Sequence, residues 1–441
     1  MTTHLLRQVQ LLEGPGRAPT PRDVLIENGR ITAIGAESLA RAAALGLEPL
    51  AAEGWLLAPA LIDPHSQLED PHTGTAETLA SLERSAVAAG YGTVALLPQA
   101  RCWRDRPEHL GLPPASTRLR LLCWGSFSRD GAGQELAPHG EQLAAGAIGL
   151  AEGAELPPLP LLERGLSLGE MGAAPVLLAP RDASLSQQGL VREGVEALRA
   201  GWPMDPPLSE TVPLQNLLAL ARLLPERRLQ LMNLSTAQGL AQLAALPDGQ
   251  RPACSVCWWH LLADSASLDP IAEGWRVVPP LGGAADRQAL IDGLASGLLS
   301  AVAVHHQALD PEEQLLPLDQ RKPGVAGHRF VLPALWQELV VGRQWSVAQL
   351  WQALCFGPAA FLGLKPPQLA VGSWDWILFD PQQRWQPALD GEAPLAANQP
   401  LRQAMLTGQV LASGLSAGLW RGPQPHHHRA GDHGSPGLPH C

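Results

Sequence analysis

Short apolar runs alternate with stretches of helical periodicity through the middle of the chain. Candidate strands fall at 55–62, 92–97, 119–124, 147–150, 174–178, 229–231, 253–256 and 299–304. Between most of them, 75–89, 187–200, 212–224 and 287–296 carry apolar residues at helical spacing. This alternation predicts an α/β fold, a TIM-like (β/α)8 barrel, with its chemistry on the residues that follow each strand.

The ends of the chain read differently. Asp23 to Gly35 is two alternating runs joined by Asn28-Gly29, a hairpin signal, and 371–380 and 403–412 are again strand-like. Both ends are therefore predicted to pair into one small β domain. The expected division is 1–55 and 366–421 for that domain, 56–365 for the barrel, and 422–441, rich in Pro, Gly and His, as a disordered tail.

One apolar run, Leu57 to Gln67, stops at Asp63, Pro64 and His65. Alternate residues of an extended segment share a face, so histidines at 65 and 67 would place two imidazoles on one metal. Position 67 is Gln67. The remaining composition narrows the setting. A chain of 441 residues can bury one large domain with a companion. Its net charge of -11 offers no basic footprint for nucleic acid, and no apolar segment is long enough for a bilayer. A cytoplasmic protein with no nucleic-acid or membrane partner is expected. Six scattered cysteines argue for reduced thiols; Cys254 and Cys257 lie on a predicted strand, where residues three apart face opposite sides, so packing is expected. The tail histidines His426, His427, His428, His433 and His440 read as adventitious metal binders.

Several segments in order carry a resemblance: Leu61-Ile-Asp-Pro-His-Ser-Gln-Leu-Glu-Asp-Pro71, Thr93-Val-Ala-Leu-Leu-Pro-Gln99, Leu234-Ser-Thr-Ala-Gln-Gly239, Arg276-Val-Val-Pro-Pro-Leu281 and Asp286-Arg-Gln-Ala-Leu-Ile-Asp-Gly293. With Val371 to Asp380, they resemble dihydroorotase, a metal-dependent amidohydrolase, from about Asp23 to Leu411. The resemblance implies a barrel holding one or two zinc ions that activate water to open the cyclic amide of dihydroorotate.

The same resemblance identifies what has changed. The first-strand histidine pair is His65 and Gln67. The acidic or carbamylated-lysine ligand after the fourth strand falls near Ala151 and Glu152, and the only lysines, Lys322 and Lys365, follow no candidate strand. Ala179 stands where a ligand is implied after the fifth strand, and Asn233 replaces the sixth-strand histidine. The eighth-strand aspartate, implied general base and ligand, aligns with His305. The substrate-clamping arginines become Glu69 and Gly282, and the asparagine after the second strand is Gln99. Reversing a charge about 4 Å from an anion changes the sign of a term worth about 4 kcal/mol at a surface-like dielectric. Trp258-Trp-His260 replaces a family segment after the seventh strand, where the indoles are expected to fill the old pocket.

These departures predict a dihydroorotase-like protein of pyrimidine synthesis that holds no cofactor and lacks hydrolytic activity. By resemblance, its role is structural or regulatory, with aspartate carbamoyltransferase or further copies of itself as partner. The alternative is a residual dihydroorotase or divergent cyclic amidohydrolase. It would hold one zinc ion in a rearranged site drawn from His65, His305 or His306 and a carboxylate of Glu69, Asp70 or Glu152.

Overall fold

The computed structural model describes residues 3–112, 116–267, 276–317, 320–416 and 419–422. The expected tail and its histidines therefore lie outside the described residues, apart from Gly422. Eight strands form the barrel: β1 (Leu61–Ser66), β2 (Tyr91–Leu96), β3 (Arg120–Cys123, continued by Gly125–Ser126), β4 (Leu150–Ala151), β5 (Val176–Leu178), β6 (Leu229–Leu231), β7 (Ala253–Cys257) and β8 (Ala301–Ala303). Neighbours pair in parallel from β1 to β8. The ring closes where the chain beyond β8 meets β1, through His305 N–H to the His65 carbonyl (3.1 Å) and Gln67 N–H to the His306 carbonyl (2.8 Å). Most strand residues are buried, as they must be in a parallel sheet covered by helices on its outer face.

The second sheet takes strands from both ends, Thr3–Leu11, Thr20–Glu27, Arg30–Ile34, Pro49–Ala51, Leu56–Pro59, Trp376–Trp385 and Leu406–Ser413. Asn28 and Gly29 both have positive φ between Glu27 and Arg30, the two-residue turn their sequence predicts.

The Leu57–Gln67 run is two strands serving two sheets. Leu56–Pro59 pairs antiparallel with Trp376–Phe379, and the barrel strand begins at Leu61. At the crossing, Ala60 N–H donates to the Asp375 carbonyl (2.8 Å), whereas Leu61 N–H donates to the Gly90 carbonyl (2.8 Å). A continuous apolar run conceals this change because both segments are buried. The expected helix over 187–200 is also divided. Val191–Arg192 pairs with Met204–Asp205, and only Val195–Ala200 is helical. Gly189 lies against the Asp205 backbone, where an added Cβ would come within 2.2 Å of its nitrogen.

Candidate functional site

His65 is fully buried near the end of β1, with both ring nitrogens engaged inside the protein. Nε2 lies 2.8 Å from Ser255 Oγ on β7, and Nδ1 lies 3.1 Å from His305 Nδ1. Ser255 Oγ already accepts Asn233 N–H at 3.0 Å. All these groups are satisfied when Ser255 donates its hydroxyl hydrogen to His65 Nε2 and His65 Nδ1–H donates to His305 Nδ1. Burial, followed by repulsion from His305, holds the His65 imidazole well below its ordinary range. Burial likewise pushes His305 down to about 4, against an opposing pull from Asp63. Both rings are thus neutral near pH 7 and joined by a hydrogen bond between imidazoles.

A second group meets beside this pair at the same two strands, β1 and β8. Fully buried Asp63 accepts Val304 N–H (3.0 Å), the Ser66 hydroxyl and His328 Nε2–H (3.0 Å). The His328 ring lies 5.1 Å from that of His306, and His306 Nε2 is 3.4 Å from Glu77 Oε2. His306 therefore turns toward Glu77 and His328, whereas its neighbour His305 turns into the barrel.

The rearranged zinc site expected as an alternative does not assemble. His65 and His305 come together, but His306 joins the separate Glu77 and His328 group. Glu152 accepts both the N–H (2.9 Å) and hydroxyl (2.8 Å) of Ser128, and burial raises its pKa. Its carboxylate is consequently tied to the chain after β3. Glu69 is exposed beside Lys322 at 3.8 Å, and Asp70 caps its own turn through the His72 and Thr73 amides. Among the described residues, no three His, Cys, Asp or Glu side chains converge for a metal ion. The groups present do not fit zinc, which requires several strong donors at one point.

The other degenerate positions line the same end of the barrel. Ala179 is buried after β5, while the Asn233 side-chain oxygen and Gln99 Oε1 are buried without hydrogen-bond partners among the described residues. Gly282 lies where the Asp286 carboxylate passes, 2.4 Å from an added Cβ, and Asp286 uses that position to accept Gly283 N–H (2.9 Å) and Ala237 N–H (2.8 Å). Trp258 is fully buried against Phe330 and lies too close to Gly327 for a side chain there.

Sequence reasoning missed the charged network beside β5 and β6. Buried Arg192 donates to Asp205 (2.9 Å), Ser209 (2.7 Å), Glu210 (3.2 Å) and Ser235 (2.9 Å), while Arg181 pairs with Asp205 at 2.9 Å. Glu210 also accepts the backbone and hydroxyl hydrogens of Ser235 and Thr236. The network joins residues far apart in the chain, of which only Arg192 lies in a stretch of expected helical periodicity. Asp63 was more legible, because a carboxylate within an apolar strand must find donors.

The chain is 33% identical over 451 residues to a probable dihydroorotase-like protein of Synechocystis sp., covering 93% of this chain and 99% of that protein. It belongs to the dihydroorotase-like family. A dihydroorotase of Thermus aquaticus is 30% identical, with 86% of this chain and 90% of that one covered. No family model matches the chain. Among solved structures, the L-hydantoinase (dihydropyrimidinase) of Arthrobacter aurescens shares the fold, with a TM-score of 0.73, 18% identity and 94% of each chain covered. Among the described residues, no helix is long and apolar enough to cross a membrane.

Proposed function

We propose that this dihydroorotase-like chain works in pyrimidine synthesis without a metal and without hydrolysing dihydroorotate, as a structural or regulatory partner of aspartate carbamoyltransferase. The reading rests on one observation above all: both ring nitrogens of His65 are bonded to Ser255 and His305. A metal would have to displace those bonds, and Gln67, Ala179 and Asn233 supply no strong ligand to compensate. Glu69 and Gly282 leave the substrate carboxylate without the clamp implied by the family. The partner comes from the family resemblance.

Tag-free protein should contain less than stoichiometric zinc and show no dihydroorotate hydrolysis above background. Stoichiometric zinc together with turnover abolished in His65→Ala would overturn the reading and favour a mononuclear hydrolase. Gentle purification from native extract should retain aspartate carbamoyltransferase. Recovery only as the free chain or its homo-oligomer would remove the partner assignment.

A further inference from the structure

We propose that the cleft beside the barrel mouth binds a small organic cation bearing a primary ammonium group. This inference does not depend on the barrel mouth being catalytically inactive. The cleft has a volume of about 370 Å³ and lies between the segments that follow β1 and β8. Glu69, Asp70, Glu77, Asp310 and Glu313 line it, opposed by Arg101 and Lys322.

Some of that acidity has an internal structural role. Asp70 accepts the His72 and Thr73 amides, while Asp310 caps the helix Pro311–Gln314 and accepts the Thr75 hydroxyl. Two further observations point to a ligand. Glu77 is only 4% exposed, yet among the described residues neither carboxylate oxygen has a hydrogen-bond donor, with His306 Nε2 3.4 Å from Oε2. A buried carboxylate without donors is costly, and an ammonium group brings three. Moreover, the rim already holds an ammonium: Lys322 Nζ lies 2.7 Å from Glu313 and 3.8 Å from Glu69. In a chain with only two lysines, this side chain is a tethered occupant of the acidic cleft. A free amine would reach inward to Glu77 and compete with Lys322 for the rim carboxylates.

Isothermal titration of the full chain with butylamine and 1,4-diaminobutane tests the site, with Mg²⁺ and Ca²⁺ as alternative probes. Saturable single-site binding of an amine is expected. Glu77→Gln should weaken it about tenfold, the effect of losing one charge-assisted hydrogen bond. Exposed Lys322→Met should tighten it about threefold by removing the internal competitor. This second variant decides the matter even if Glu77→Gln fails to fold, because a purely structural lysine would not restrain affinity. Absence of saturable amine binding, preference for a divalent cation, or unchanged affinity in Lys322→Met would each overturn the proposal.

Discussion

The two sides of the barrel mouth have been filled in different ways. At β1 and β8, His65 and His305 are held neutral by burial and joined to each other and to Ser255. Beside β5 and β6, Ala179 and Asn233 offer no charged group, and the nearby polarity comes from Arg192, Arg181, Asp205 and Glu210. Around His65 the first side is a short chain of hydrogen bonds between uncharged rings and a hydroxyl, with the buried Asp63 carboxyl alongside; the second is a buried network of arginines and carboxylates. The comparison teaches that polar groups at the ends of barrel strands need not leave an open polar cavity. Polar groups at such positions can satisfy one another, at a cost of disruption that depends on whether they carry charge.

The charged side should be the more fragile. Arg192→Met takes from buried Glu210 its arginine partner and leaves Asp205 with Arg181 alone, and a loss of about 3–5 kcal/mol is expected in urea unfolding. His65→Ala removes two hydrogen bonds from the neutral side and should cost about 2–3 kcal/mol, with metal content unchanged. Equal losses would erase the distinction between the two sides.

Acid should sharpen the comparison through the depressed imidazoles. Burial lowers both His260 and His305 to about 4, from 6.5. Between those values, the unfolded chain binds more protons than the folded one. Stability should therefore fall as pH drops from about 6.5 toward 4, with no corresponding gain above that range. Thermal midpoints across pH would show this slope, and His260→Asn should flatten it. The smallest effect is expected at the rim, where Glu69 is largely exposed. Glu69→Ala should change unfolding stability by less than about 0.5 kcal/mol.

The sequence exposed several parts of this arrangement in advance. Strand and helix alternation gave the barrel, Asn28-Gly29 gave the terminal hairpin, and the resemblance located Gln67, Ala179, Asn233 and His305 at the strand ends. For the alternative rearranged site, it left His305 and His306 interchangeable. Adjacent histidines have identical local chemistry, but His305 has a φ of 46°, and the two rings find different surroundings. Nor could it place Glu152, which follows the expected strand but bonds to Ser128, 24 residues earlier.

Period and composition by themselves determined that this chain builds a parallel barrel with a second sheet from its termini, because burial on one or both faces of a strand is written locally. Residue identity also determined that positions 67, 179 and 233 carry Gln, Ala and Asn rather than histidine or a carboxylate. Tertiary structure alone decided what the remaining polar groups do. It joined His65 to His305 and Ser255, sent His306 to Glu77, and gathered Arg192 with Asp205 and Glu210. Hydrogen bonding and charge pairing depend on distance and direction across the fold, which neighbours in sequence do not specify.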